Sequence, residues 1–261
     1  QGNAFLPLKN IALLGCISPK EQMEQAQALN ASNSGDLDQL RKLTAEVDEL
    51  VWPVIKQIVA AGKIPLVIGG GHNNAYPVIK GVSLALGTSV QSINCDPHSD
   101  FRAREGRHSG NGFSYAMHEG FLKSYGIVGL HQGYNSKQNL SDLKQHNVHT
   151  YFFEDAFVRS TIGFAKLVEQ ALKDMPPDTP TGLELDLDSI AGLPVSAFTP
   201  SGLRVEEARQ YVNLFVTNRK PAYVHFCEGA PALGHQGEVS VGKVLSYLVQ
   251  DVLKATEIVP S

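Results

Sequence analysis

Three groups that bind divalent metal ions stand within five positions of the segment NCDPHSD, residues 94–100. They are Asp96, His98 and Asp100, and their alternate spacing places them on one side of the chain if the chain stays extended. Asp and Pro also end strands, so this segment taken alone is typical of a polar turn as well. The metal hypothesis therefore depends on whether the rest of the chain supplies matching ligands.

Two further segments supply such groups. The run IPLVIGGGHNN ends in three glycines that would allow a tight turn before His72. The run GLELDLDS carries Asp186 and Asp188, with Glu184 one step earlier and, we expect, too deep in a strand to reach an ion. Taken singly, these residues could be a loop histidine and the solvated carboxylates of an edge strand. Together the three segments place two imidazoles and four carboxylates at the ends of apolar runs, where burying them unpaired would be costly.

The elements that must position these residues alternate along the chain. Apolar runs predict strands at residues 10–16, 64–70, 89–95, 126–131, 149–153, 182–188 and 222–228. Helical periodicity predicts helices at residues 37–61, 75–86, 112–123, 138–146, 161–174, 205–218 and 239–254. This order predicts one α/β domain over residues 1–261, a three-layer α/β/α arrangement with a mainly parallel sheet. Ligands of such sheets bind at the carboxyl ends of the strands, where all three polar segments fall.

The donor set favours a hard divalent ion over a structural zinc ion. Structural zinc sites use Cys and His in a closed tetrahedron. Carboxylate and imidazole donors together suit Mn²⁺. Six ligands are too many for one ion that keeps an open position, and they suit a pair of ions about 3.5–4 Å apart.

Composition argues against several classes of protein. The net charge of −4 and the pI of about 6.1 leave no basic footprint for nucleic acid. No apolar stretch approaches the roughly 20 residues that span a bilayer. The cysteines Cys16, Cys95 and Cys227 are scattered singly, which is typical of a reducing compartment, so we expect a cytoplasmic protein.

The motifs GGGH, DPHSD and LDLDS, in this order, resemble those of the ureohydrolase family of arginase, agmatinase and formimidoylglutamase. The resemblance spans roughly residues 40–254. It implies a dimanganese hydrolase of the arginase-like fold, acting on C–N bonds of linear amidines or guanidines, and a homo-oligomer, either a trimer or a hexamer. It also implies two ligand sets, His72, Asp96, Asp100 and Asp186 for one ion and Asp96, His98, Asp186 and Asp188 for the other. In this scheme Asp96 and Asp186 bridge the two ions.

The resemblance further implies catalytic and substrate-binding residues. Asp100 would pass the proton of the attacking water to the departing nitrogen. Glu228 falls where arginase-like members bind the guanidinium group of the substrate. The alternative for Glu228 is a carboxylate that caps a helix or forms a salt bridge. His108 is the nearest candidate for a proton-shuttling histidine, with a surface histidine as the alternative. An anionic substrate would also need hydrogen-bond donors at the rim of the site. The loop that follows the second motif supplies four candidates: Arg102, Arg104, Arg107 and Asn111. The alternative for these residues is an ordinary solvated basic loop.

The choice of substrate depends on smaller signals. Two motifs resemble those of formimidoylglutamase: GGGH and LDLD. In the first of them, Gly71 stands where arginases and agmatinases usually carry Asp. Two segments depart from the family pattern, however. They are HNNAYP, which begins at the candidate metal ligand His72, and SIAGLPVSAFTPSG, which follows Asp188. We favour hydrolysis of N-formimido-L-glutamate to glutamate and formamide. A guanidino hydrolase of arginase or agmatinase type, which releases urea, and a non-catalytic family member remain alternatives.

Overall fold

The computed structural model describes the backbone of residues 11–258 and the side chains of residues 11–254. The strands are β1 (Leu66–Ile68), β2 (Val90–Cys95), β3 (Leu122–Leu130), β4 (His149–Phe152), β5 (Thr181–Asp186) and β6 (Pro221–Cys227). The helices are α1 (Lys20–Ala26), α2 (Ser34–Ala60), α3 (Ala75–Leu86), α4 (Gly112–His118), α5 (Lys137–Gln145), α6 (Phe153–Phe157), α7 (Phe164–Asp174), α8 (Val205–Asn218) and α9 (Gly237–Ile258). Short 3₁₀ turns at His72–Asn74, Ser109–Asn111 and Leu187–Ser189 adjoin the polar segments.

The strands form one sheet in the order β1-β6-β5-β2-β3-β4, and every neighbouring pair is parallel. The central strands β2 and β5 are buried at every position. Helices cover both faces of a parallel sheet, which is why these strands lack an alternating polar pattern in the sequence. The prediction of a mainly parallel sheet is confirmed.

Helices pack on both faces of this sheet. One core includes Val51 of α2 and Ile79 of α3, with further apolar residues from α4 and α5. The other core includes Val212 of α8 and Leu248 of α9, together with apolar residues of α7. The predicted three-layer α/β/α architecture is therefore confirmed.

Two predicted elements differ in the structure. Residues 11–16 of the predicted strand 10–16 form no strand, and Leu13 and Leu14 are 97% and 71% exposed; residue 10 lies outside the described residues. An apolar run becomes a strand only where a neighbouring strand completes its hydrogen bonds, and no strand within the described residues 11–258 pairs with this run. The helix predicted at 112–123 ends at His118, because Gly120 has a φ of +81° and β3 begins two residues later.

Helices α3 and α8 have the predicted bounds. Strand β3 begins at Leu122, four residues before its predicted start at residue 126, and β5 ends at Asp186, two residues before its predicted end. Helix α2 begins three positions earlier than predicted, at Ser34, because the side chain of Asn33 caps it by accepting a hydrogen bond from the backbone of Gly35. The three cysteines are free. Among the described residues, no helix has both the length and the apolar character needed to cross a bilayer.

Candidate metal centre

Four neighbouring strands end at the polar segments. In the order β1, β6, β5, β2, their carboxyl ends lead to His72, Glu228, Asp186 and Asp96. Because all four strands run in the same direction, residues that are far apart in the chain meet at one edge of the sheet. The sheet order thus creates the site.

His72 lies at the centre of the site. Its Nδ1 is 2.8 Å from Oδ2 of Asp100, 3.1 Å from Oδ2 of Asp186 and 3.2 Å from Oδ2 of Asp96. One ligand atom from each of these four buried residues lies within 4.8 Å of the others, so the group could hold a metal ion. This is the set that the resemblance to the ureohydrolase family implied for the first ion.

The second predicted set is also brought together, although less tightly. Nδ1 of His98 lies 3.5 Å from Oδ1 of Asp96 and 4.0 Å from Oδ2 of Asp188. Asp186 contacts this group through its own carboxylate, which accepts a hydrogen bond from the backbone of Asp188 at 2.7 Å. Asp96 and Asp186 therefore stand between His72 on one side and His98 with Asp188 on the other.

The residues converge through turns, and not along an extended chain as the spacing predicted. Strand β2 ends at Cys95, and Asp100 has a φ of +44°. Oδ1 of Asp96 accepts a hydrogen bond from the backbone N–H of His98 at 2.7 Å, and Asp186 makes the equivalent bond to Asp188. An aspartate that bonds to the backbone two residues later bends the chain, which explains why both motifs turn at the end of their strands.

The carboxylates carry more negative charge than their neighbours neutralise. Burial, followed by the charge of Asp96, raises the pKa of Asp100 to about 6 and the pKa of Asp186 well above its usual value. Burial also raises the pKa of Asp188 to about 6. Within the described residues, the ion-pair partners of these carboxylates are His72 and His98. A divalent cation would supply the missing positive charge, so the donor set fits a hard metal ion.

Further hydrogen bonds orient the individual carboxylates. The side chain of Asn94 donates to Oδ2 of Asp96 at 2.9 Å. Ser196 donates its hydroxyl to Asp188 at 3.0 Å, and the backbone of Ala197 donates to the same carboxylate at 3.1 Å. Ser196 lies in the segment that departs from the family pattern, so that departure places a donor on a candidate ligand.

Beneath His72 lies a buried pair that the sequence analysis undervalued. Glu184 is too deep to line the cavity, as expected, but its Oε2 is 2.7 Å from Nδ1 of His225 and 3.5 Å from Nε2 of His72. Burial acts to raise the pKa of Glu184, whereas the attraction of His225 prevails and lowers that pKa to about 2. His225 was not predicted, although Tyr223 and His225 are polar residues at alternate positions of an otherwise apolar strand.

A cavity of about 290 Å³ opens above the carboxylates. Its lining includes His98, Asp100, Asp186, Asp188, Arg102, His108, Tyr134 and Glu228. Tyr134 was not predicted; its ring stacks on that of His98 with 5.5 Å between centroids.

Glu228 lies half-buried in this lining with a φ of +63°. Its Oε1 accepts a hydrogen bond from the backbone N–H of His72 at 2.5 Å. A Cβ at Gly71 would lie 3.2 Å from that oxygen, so the glycine leaves room for the carboxylate. Glu228 thus lines the same cavity as Asp100, Asp186 and Asp188.

Arg107 and Asn111 lie away from the cavity, contrary to their predicted contact with the substrate. The guanidinium of Arg107 donates to Asp48 at 2.8 Å, to the carbonyl of Asn73 at 2.8 Å and to the side chain of Asn111 at 2.7 Å. Asn111 in turn donates to the carbonyl of Gly106 at 2.8 Å. Both side chains are buried, and the hydrogen bonds of Arg107 join the loop to α2 through Asp48 and to the turn His72–Asn74 through Asn73. Their role in the structure is to shape the loop.

The three other candidate residues of this loop lie either at the rim of the cavity or on the protein surface. Arg102 and His108 line the cavity, and Arg104 is exposed outside its lining. Nδ1 of His108 accepts a hydrogen bond from the backbone of Gly110 at 3.1 Å. Burial and the charge of Arg102 lower the pKa of His108. Arg102 and His108 thus lie at the rim of the cavity, where the side chains of both contact Glu105 at 3.4 Å.

The fold and the site define an α/β protein with a carboxylate and imidazole cluster at the carboxyl ends of a parallel sheet. The chain belongs to the arginase family, whose sequence profile matches residues 8–251. It is 27% identical over 210 residues to a formimidoylglutamase of Geobacillus thermodenitrificans, an alignment that covers 79% of this chain and 65% of the relative. The chain thus spans less than two thirds of the length of that relative.

Two solved structures share the fold. A formimidoylglutamase from Bacillus subtilis superposes with a TM-score of 0.75 at 19% identity, covering 83% of this chain and 69% of that one. A formiminoglutamase from Trypanosoma cruzi, solved with Mn²⁺, superposes with a TM-score of 0.73 at 22% identity, covering 83% of this chain and 73% of that one. At these identities the likeness establishes the arginase-like fold.

Proposed function

We propose that this protein is a manganese-dependent hydrolase that cleaves the C–N bond of N-formimido-L-glutamate, with water, to give glutamate and formamide. The observation that carries the proposal is the position of His72, whose Nδ1 faces three buried carboxylates at the strand ends. The similarity to proteins named formimidoylglutamase supports the choice of substrate. The Mn²⁺ in one of the similar structures supports the choice of metal.

The proposed centre takes two ions. His72, Asp96, Asp100 and Asp186 would hold one of them, and Asp96, His98, Asp186 and Asp188 the other. The compact geometry of the first set and the looser grouping around His98 support this division. When bound, the ions would lower the pKa of a shared water so that hydroxide is available at neutral pH.

The protein's own residues would then manage the proton and the substrate. Asp100 faces the cavity, where it can accept a proton from the attacking water and deliver it to the departing nitrogen. Glu228 can pair with the planar cationic formimino group through charge-assisted hydrogen bonds. At the rim, His108 would shuttle protons and Arg102 would bind a carboxylate of the substrate.

A panel of substrates tests this proposal. The protein is incubated with Mn²⁺ and N-formimido-L-glutamate, arginine or agmatine, and formamide and urea are measured separately. Formamide from the first substrate supports the proposal. Urea from a guanidino substrate would reassign the chain to the alternative hydrolase. No turnover of any substrate by a protein that binds the substrates without metal would support a non-catalytic role.

The predicted trimer or hexamer and the cytoplasmic location stay predictions. Light scattering combined with size-exclusion chromatography measures the first, and fractionation of cells measures the second.

A further inference from the structure

We propose that Glu184 is a positioning residue for His72, holding a proton on Nε2 of that ring so that Nδ1 stays free to bind a metal ion. This inference rests on the proposed metal centre and deepens it. Glu184 itself touches neither the cavity nor a group that would react.

The two nitrogens of His72 face different surroundings. Nδ1 faces the carboxylates of Asp96, Asp100 and Asp186. Nε2 is buried without a hydrogen-bond partner, and Oε2 of Glu184 lies 3.5 Å from it. A histidine that binds a metal through Nδ1 carries its proton on Nε2, and a buried N–H needs an acceptor. Glu184 is placed to be that acceptor after a small movement of either side chain.

Glu184 is held in place by two buried groups, one of which is supported by a third. Oε1 accepts a hydrogen bond from the hydroxyl of Tyr223 at 2.8 Å, and Tyr223 shares a further bond of 2.7 Å with Ser92. Oε2 lies 2.7 Å from Nδ1 of His225. All four side chains are 0% exposed. The network crosses β2, β5 and β6 beneath the proposed metals, and carboxylates that support metal-bound histidines in this way strengthen metal binding.

A rival arrangement uses the same ring differently. His72, His225 and Cys227 also lie close enough to hold a metal, with ligand atoms within 4.8 Å of one another. Thiolate and imidazole donors would favour a softer ion such as Zn²⁺. We favour the positioning role because Nδ1 of His72 is already directed at the carboxylates, and Nδ1 of His225 at Glu184. The experiment nevertheless separates the two arrangements.

The main test measures the affinity of the whole chain for Mn²⁺ by competition with a chelator. Glu184→Gln keeps the shape of the side chain but removes its charge, and we expect the Mn²⁺ affinity to fall roughly 10–100-fold. The matched control is Glu238→Gln, the same change at an exposed position, which should leave the affinity unchanged. Tyr223→Phe removes one support of Glu184 and should give a smaller loss, which keeps the test decisive should Glu184→Gln fail to fold.

Spectroscopy separates positioning from general structure. The Mn²⁺ electron paramagnetic resonance spectrum at full occupancy should change in Glu184→Gln and stay unchanged in Glu238→Gln, because only the first alters a ligand's orientation. Co²⁺ loading addresses the rival, since a thiolate ligand produces a charge-transfer band in the near ultraviolet that the carboxylate site cannot produce.

Each result has a distinct meaning. Wild-type protein that binds no Mn²⁺ would overturn both the proposed function and this inference. Wild-type protein that binds Mn²⁺, with an unchanged affinity in Glu184→Gln and in Tyr223→Phe, would overturn the inference alone. A thiolate band that disappears in Cys227→Ser would overturn it in favour of the rival site.

Discussion

Nδ1 of His72 lies 2.8 Å from Oδ2 of Asp100, although the two residues follow different strands. The contact brings together the first and second polar motifs. It is one of three carboxylate contacts to a single ring nitrogen, and three acceptors around one point suit a divalent metal ion better than a single proton.

Removing a shared ligand should abolish both metal binding and activity. Asp186 contacts the ring of His72, and its carboxylate accepts a hydrogen bond from the backbone N–H of Asp188. We expect Asp186→Ala to bind no Mn²⁺ by elemental analysis after desalting and to reduce hydrolysis to background. Asp178→Ala, the same change at an exposed position, should behave as wild type. Full activity in a folded Asp186→Ala protein would contradict the assignment of this ligand.

Removing the metal should destabilise the fold, because the buried carboxylates then repel one another without a compensating cation. We expect a chelator to lower the melting temperature and added Mn²⁺ to restore it. At a free concentration 1,000 times the dissociation constant, one bound ion contributes about 4 kcal/mol. Differential scanning calorimetry with and without chelator measures the effect. An identical response in wild type and Asp186→Ala would show that the stabilisation arises elsewhere.

Replacing Glu228 should weaken substrate binding while leaving the metals in place. In Glu228→Gln the amide oxygen can still accept the backbone hydrogen bond of His72, so the loop geometry is kept. The lost charge-assisted contact is worth about 1.5–3 kcal/mol, which corresponds to a fall in kcat/KM of roughly 10–150-fold. Steady-state kinetics together with metal analysis check both parts. Loss of bound metal in this variant would instead make Glu228 a ligand or a support of one.

The buried pair of Arg107 and Asp48 should matter for stability. Asp48→Ala leaves the guanidinium of Arg107 buried without its partner, which should cost about 3–5 kcal/mol of the free energy of unfolding. Asp38→Ala removes an exposed carboxylate that lies 3.7 Å from the guanidinium of Arg41 and should cost about 0–1 kcal/mol. Urea unfolding of the metal-loaded proteins measures the difference. Equal values for the two variants would argue against a structural role for the buried pair.

His131 should make stability depend on pH. Burial lowers its pKa from the ordinary value of 6.5, and its ring stacks between Tyr134 and Phe153. The unfolded chain therefore gains a proton before the folded protein does, so this contribution to stability is complete above pH 6.5 and is lost as pH falls towards the folded pKa.

We expect His131→Gln to lose less stability than wild type between pH 7.5 and pH values below 6.5, as measured by urea unfolding. His118→Gln, at an exposed histidine, should follow wild type. Parallel pH curves for wild type and His131→Gln would contradict the assignment.

Much of the site could be predicted because its signals are local. Acidic and imidazole residues at the ends of apolar runs identify candidate ligands, and the alternation of elements identifies a parallel sheet with strand ends at one edge. His72, Asp96, Asp100 and Asp186 were identified in this way and do lie together. Arg107 shows the limit, since its charge and its position in the chain gave no sign of the buried partner Asp48, which arrives from α2.

The sequence by itself determined the class of fold, the candidate ligands and the edge of the sheet at which they lie, because side-chain chemistry and hydrophobic periodicity are written in short stretches of chain. Only the tertiary structure decided which strands are neighbours, that turns rather than extended chain aim Asp100 and Asp188, and that Glu184 and His225 lie under His72. The physical reason is that these contacts join residues distant in the chain. Which residues meet depends on the order of the strands in the sheet and on the cost of burying a charge without a partner. Neither can be predicted from a short stretch of sequence.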